Sequence, residues 1–412
     1  MPYPGIKSEY YAQMQSENIG RCKWNTDICI RWFPAVDSGS IILVKSISIY
    51  SQYMYQARYL KHFTEEVFLA IGCRPEEAKL ASEVLISADL RGVDSHGIAR
   101  LAGYVRLYDN GRLNPTPDIR IVHETPSTAV VDGDRGLGLV VAPKAMEIAM
   151  EKAEKVGSGW VSVRNSNHFG IAGYHAMLAL QKEMIGMTMT NAAPLVAPTF
   201  SLDKLLGTNP IAVAVPALNE PPFVADFAST AVAYGKFEIL QRKGLPAPLG
   251  WAQDAEGHDT TDSNAVKSGG GLLPLGSDRE HGSHKGYGLG AIVDIFSGVL
   301  SGANFGPWVP PFATAGFMSA QEGVGLGTGH FLGAMRIDGF RPAEDFKKDM
   351  DKWIGAFRGA KAVEGKKVLI PGDPEREIEA VRSVEGIELL EPVVLSLAEL
   401  ATRFSISFDK NL

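Results

Sequence analysis

The stretch RGVDSHGIARLAGY, residues 91–104, sets a hydroxyl, an imidazole, a guanidinium and a phenol close together at Ser95, His96, Arg100 and Tyr104. A guanidinium offers parallel N–H donors to a carboxylate, and an imidazole holds or releases a proton near neutral pH. Together they suit a small carboxylic acid whose neighbouring oxygen gains or loses a proton. Residues four apart on a helix share a face, so a helix capped by Asp94 or Ser95 would align His96, Arg100 and Tyr104. The same letters also fit a capping serine followed by a solvated His/Arg face.

A second cluster is RNSNHFGIAGYH, residues 164–175, where His168 follows a strand-like run with Gly170 and Gly173 just behind it. Strand ends that enter glycine-rich turns are where α/β folds place functional side chains. A lone histidine there also reads as structural, and His175 is assigned to packing. The third cluster, EHGSHKGYGLG at 280–290, puts His284 and Lys285 among four glycines. Small residues let backbone approach phosphate or ribose, and lysine adds positive charge; a flexible surface loop is the competing reading. Asn209 and Asp226 mark a turn and a strand end and are open to either interpretation. No G-x-G-x-x-G, H-E-x-x-H or G-x-S-x-G occurs, which speaks against a Rossmann fingerprint, a zincin and a serine hydrolase.

The elements that must carry these groups show in the hydrophobic pattern. Leu60, Phe63, Val67 and Ile71 form one helical stripe, stopped at Gly72. A second helix opens at Pro75 and closes at Gly92, and a third is expected to run from about Ser95 to Gly111. From about Ile119 the texture turns α/β. STAVVDGD, GWVSVRNS, IGMTMTN, PIAVAVPAL and PFVADFA read as strands, with a long helix ended by Gly157 and another in AVAYGKFEILQRKG. Residues 269–339 hold 18 of the 44 glycines, which predicts turns or close backbone approach. Helical periodicity returns in PAEDFKKDMDKWIGAFRGA.

A chain of 412 residues can bury a large core. Its net charge of -7 argues against a nucleic-acid partner. No run of about 18 apolar residues predicts a membrane span, and the N-terminus lacks the pattern of a signal peptide. Cys22, Cys29 and Cys73 make neither a metal pattern nor a disulfide framework, so a reducing, cytoplasmic setting is expected. A mitochondrial transit peptide is the weaker alternative, because Glu9, Glu17, Asp27 and Asp37 are the acids such segments avoid. Residues 1–54 read as an extension without sustained periodicity.

Taken in order, ADLRGVDSHGIARLAGY, NSNHFGIAGYHA, LGTNPIAVAVPA, VADFAST, HKGYGLG, GHFLGAMRID and VLIPGDPE resemble the type 2 malate/L-lactate dehydrogenase family, over about residues 55–404. The resemblance implies interconversion of a 2-hydroxy acid, malate or lactate-like, and its 2-keto acid with NAD, NADP being left open. It implies an α/β fold unrelated to Rossmann, with a mixed sheet in a central cofactor-binding domain (124–339). A mainly helical domain would be built from 55–123 and 340–412, and the assembly would be a homodimer. Carried over by motif, His168 is the acid/base, and Ser95, His96, Arg100 and Tyr104 form the substrate side. Asp226, Phe227, Ala228, His284, Lys285, Gly372, Asp373 and Pro374 become cofactor contacts, with no metal. A cyclic imino acid reductase of the same family is the alternative. From other classes come a metal-dependent hydrolase using His96, His168, His284 and Asp226, and a dimeric binding protein without catalysis. Residues 1–54 and the APTFSLDKLLGTNP connection depart from the family pattern.

Overall fold

A computed structural model describes residues 53–312 and 323–409, so the expectations for residues 1–52, Cys22 and Cys29 lie outside the described residues, while Tyr53 and Met54, expected in the extension, join the fold by bonding and pairing with the 387–389 segment. The chain enters through β1 (Met54–Tyr55) and two helices, α1 (Ala57–Ala70) and α2 (Pro75–Leu90). The stripe on α1 is buried, with Leu60, Phe63, Val67 and Ile71 at most 2% exposed. Each such side chain contributes about 1.5–3 kcal/mol on leaving water. The expected third helix is shorter: α3 spans Leu101–Asp109, preceded by 3-10 turns at Asp94–His96 and Ile98–Arg100.

The chain then builds β2 (Arg120–Glu124), β3 (Thr128–Asp132), α4 (Gly138–Val156), β4 (Ser158–Ser166), α5 (Ala172–Met177), β5 (Ile185–Thr190), β6 (Ile211–Val215) and β7 (Phe223–Phe227). Next come α6 (Tyr234–Lys243), the short strands β8 (Ala252–Gln253) and β9 (Gly271–Leu272), α7 (Ser283–Asp294) and β10 (Thr328–Met335). Helix α8 (Ala343–Arg358), α9 (Asp373–Glu385), β11 (Ile387–Glu388) and α10 (Glu391–Phe404) complete it.

Seven strands form one mixed sheet in the order β2-β3-β4-β10-β5-β6-β7. Only the β3–β4 pair is parallel, joined by the α4 crossover that a parallel pair requires. Glycine-rich β10 lies at the centre, antiparallel to both β4 and β5. Two cores result. One gathers α1, α2, α3 and α10 around Phe63, Phe68, Tyr104 and Leu397, and β1 closes it by pairing with β11. The other packs α4 and α5 on the sheet through Val141, Met146, Val161, Val163 and Leu332. No described helix is long and apolar enough to cross a membrane.

Candidate active site

The loop between α2 and α3 is built around one buried carboxyl. Asp89, 1% exposed near the end of α2, accepts the Ile98 N–H at 2.7 Å. A Cβ added at Gly97 would sit 2.1 Å from Asp89 Cγ, so only glycine fits. Burial pushes the Asp89 carboxyl well above the usual carboxylate range. This clamp breaks the expected helix at Gly97, and neither Asp94 nor Ser95 makes a side-chain cap. His96 and Tyr104 are therefore not stacked along one helix face, and the fold brings them together by turning the chain. From α9, Arg382 holds Asp94 and the Asp89 carbonyl, and Glu379 accepts from Arg91 at 2.9 Å.

Five of the expected site residues converge here. The Tyr104 hydroxyl and His168 Nδ1 share a hydrogen bond of 2.7 Å. The His96 and His168 rings stack at 5.5 Å and 21°. Ser95 Oγ bonds His96 Nδ1 at 2.8 Å. Arg100 Nε donates to the Ser95 carbonyl at 2.5 Å, and its Nη2 to Glu238 Oε2 at 2.9 Å. His168 Nε2 and His96 Nε2 have no protein partner among the described residues, and both residues are partly exposed. Burial, then Arg100, lowers His96 to about 4. Burial, then the His96 and Arg100 charges, holds His168 well below the usual imidazole value. Both imidazoles are neutral at pH 7, while burial keeps the Tyr104 phenol protonated. Such an arrangement can bind an anionic group at Arg100 and move a proton at an imidazole Nε2.

Several members of the site carry no local sequence signal. Phe312 packs on the His168 ring at 4.6 Å and edge-on to Tyr104 at 5.0 Å, seated over Gly103, where a Cβ would lie 2.5 Å from its ring. Glu238, 138 positions from Arg100, comes from α6, whose Gly235 lies against Ser95 Cβ. His330 is fully buried in β10, bonding Thr190 Oγ1 at 2.7 Å and Ser166 Oγ at 2.8 Å, so it ties the end of β4 to its neighbours. His175 is also fully buried, its Nε2 on the Phe169 carbonyl, in keeping with a packing role.

The residues expected to hold a cofactor lie at the end of β7, in the first turn of α7 and at the start of α9. Asp226 at the end of β7 is exposed and accepts the Gly173 N–H at 2.7 Å, five residues beyond His168. Phe227 is 40% exposed and Ala228 half-buried. Beyond them Ser229 meets α7, where a Cβ at Gly290 would lie 2.9 Å from its hydroxyl. His284 and Lys285 are exposed in the first turn of α7, not on a flexible loop, because Gly282 at φ +97° starts a helix there. Asn209 is fully buried and donates to the Gly290 carbonyl, a structural bond. Gly372 precedes α9 and lies against Val224 of β7. Burial works against a charged Asp373, but the Ile370 N–H, Arg376 and Arg358 outweigh it and hold the carboxyl below the usual range. Pro374, half-buried, follows in the first turn of α9. An exposed lysine on a helix's first turn and open space at Gly288 suit a dinucleotide, whose phosphates are anionic. No three His, Cys, Asp or Glu side chains gather to hold a metal among the described residues.

Residues 55–398 match a family model described as malate/L-lactate dehydrogenase. A malate dehydrogenase of Pyrococcus horikoshii is 42% identical over 346 residues, 84% of this chain and 93% of that protein. An L-sulfolactate dehydrogenase of Methanocaldococcus jannaschii is 38% identical, over 84% of this chain and 95% of its own. In three dimensions, the crystal structure of malate dehydrogenase from Entamoeba histolytica superposes with a TM-score of 0.80 at 35% identity, covering 86% of this chain and 99% of that one.

Proposed function

Since the chain belongs to the malate/L-lactate dehydrogenase family of hydroxy acid dehydrogenases, we propose that it interconverts a 2-hydroxy acid, malate or a lactate-like acid, and its 2-keto acid with NAD(P). The observation that carries this reading is the neutral His168 bonded to Tyr104 and stacked on His96, one turn of chain from Arg100. A bound nicotinamide would supply the hydride acceptor or donor, with Asp226–Ala228, His284, Lys285 and Gly372–Pro374 as the residues that would hold it.

The chain's own residues would then do four things. Arg100 takes the substrate carboxylate. Ser95 fixes His96 beside the substrate. Phe312 keeps water from one face of His168. His168 exchanges the hydroxyl proton at Nε2, and for this Nδ1 must keep its own proton in both protonation states. The Tyr104 oxygen is the acceptor that permits it: with Nδ1–H held there, Nε2 is bare in the neutral ring and protonated in the cation. The Gly170 N–H, 3.3 Å from Nδ1, pulls toward the opposite tautomer, and on this reading the shorter Tyr104 bond outweighs it. The assembly we take to be a homodimer, supported by the exposed stripe Tyr287, Ile292, Ile295, Phe296, Val299 and Leu300 along α7 and the turn after it.

The test is a panel of 2-keto acids, run with each reduced nicotinamide and followed by near-ultraviolet absorbance. Turnover of none overturns the reading. His168→Ala should lower turnover by about 10²–10⁴-fold, while Arg100→Lys, which keeps the charge but loses the planar fork, should chiefly raise KM.

A further inference from the structure

Arg100 is not a free cation waiting for an anion. Its guanidinium has two edges that can grip a carboxylate. One is formed by Nε–H and the near hydrogen of Nη2, the other by Nη1 and the far hydrogen of Nη2. Two of its donor nitrogens are already engaged: Nε–H donates to the Ser95 carbonyl at 2.5 Å and Nη2 to Glu238 Oε2 at 2.9 Å. Both side chains of the Arg100–Glu238 pair are largely buried, at 15% and 20% exposure. The pair therefore lies below the solvent-screened surface, where an ion pair holds geometry better than an exposed one.

What anchors Glu238 is the packing of α6. Gly235 in its first turn touches Ser95, and a Cβ there would lie 2.4 Å from Ser95 Cβ and 3.5 Å from Arg100 Nη2. Phe237 beside it is fully buried, which fixes the rotation of the helix. Three residues on from Gly235, Glu238 falls on the face that meets the guanidinium.

We infer that Glu238 is a positioning residue for the substrate arginine. It holds Nη2 while the Ser95 carbonyl holds Nε, so the side of the guanidinium that carries Nη1 is the one presented to the substrate's carboxylate, in a single orientation. Free rotation of the guanidinium about its last bonds is removed before substrate arrives. Its carboxylate also offsets the positive charge beside two neutral histidines. The inference rests on the reading of Arg100 as the carboxylate site.

Three variants test it by steady-state kinetics at fixed saturating reduced cofactor, with cofactor affinity measured separately by fluorescence titration. Glu238→Ala releases Nη2 and should raise KM for the 2-keto acid by about tenfold or more, as for a hydrogen bond to a charged group. Its kcat should change less than KM, and cofactor affinity should stay within about twofold. Glu238→Gln retains an oxygen acceptor for Nη2 and should recover most of the KM loss, whereas a purely structural defect would not discriminate between the two. Arg100→Lys is the control for the underlying reading. If Arg100→Lys raises KM and Glu238→Ala does not, the positioning role is wrong and the arginine assignment stands. If neither raises KM, the arginine assignment itself fails. Equal losses in Glu238→Ala and Glu238→Gln, or a parallel loss of cofactor affinity, also overturn the positioning role.

Discussion

Replacing Tyr104 by phenylalanine removes one oxygen and little else. The ring is fully buried, packed edge-on to Phe68 at 6.0 Å and to Phe312 at 5.0 Å, and phenylalanine preserves both contacts. What disappears is the 2.7 Å hydrogen bond to His168 Nδ1. Holding a buried Nδ1–H without that acceptor costs about 1–3 kcal/mol. The Gly170 N–H, which can only donate, still addresses Nδ1 and draws the ring to the tautomer with its proton on Nε2. That tautomer cannot take a hydroxyl proton. At about 1.4 kcal/mol per factor of ten, Tyr104→Phe should lower kcat by roughly 5- to 150-fold. The imidazolium also loses its acceptor, so the protonation that limits kcat/KM should move to lower pH, adding to the depression that burial causes. Thermal melting should stay close to that of the parent, which separates this loss from unfolding. The assay is a pH profile of kcat and kcat/KM in both directions. A kcat within twofold of the parent, or a limb moved toward higher pH, refutes the tautomer argument.

Gly97→Ala should destabilise by about 1–3 kcal/mol through overpacking, because its methyl would meet the Asp89 carboxyl at 2.1 Å. Urea unfolding reads the loss, and an unchanged midpoint would show that the clamp yields. Lys285→Met should weaken binding of the reduced cofactor more than it raises KM for the keto acid, by fluorescence titration; unchanged cofactor affinity removes that lysine from the cofactor contacts. Acid stability tests the buried imidazoles. Burial lowers His175 to about 4 and His330 to about 3. The unfolded chain binds protons below about 6.5 while the folded chain does not, so stability is full above that pH and falls toward 4. Each residue should lose roughly 2 kcal/mol by pH 5, and a urea midpoint that holds steady from pH 7 to pH 5 would contradict their neutral burial.

Local pattern predicts the scaffold well where a face is strictly one-sided. The α1 stripe, the stop at Gly157 with φ +94°, and the strands at β3 through β7 all follow from periodicity and turn chemistry. It fails where a distant atom decides. The helix expected through Ser95 breaks at Gly97 because of Asp89, whose burial no spacing reveals. Strand β10 is poor in β-branched residues, and Gly333 is needed only because the Trp160 ring of β4 lies 2.3 Å from where its Cβ would be. Among the site residues, His96 and Tyr104 do meet His168, though by a turn and not a shared helix face. Glu238 looks like an ordinary solvated helix charge until the fold brings it to Arg100.

The central place of β10 has a consequence for how the protein is made. Strands β4 and β5 are separated by fewer than twenty residues of chain, yet they are not bonded to each other, and residues 328–335 lie between them. During synthesis both strands emerge long before their common partner. Until then each offers an unpaired row of backbone donors and acceptors, the kind of edge that recruits foreign strands. Closing the gap must also await a loop of well over a hundred residues, which slows folding. The nascent chain thus passes through a stage with a slot open in the middle of its sheet, the stage at which a chaperone would matter and crowding would be most damaging.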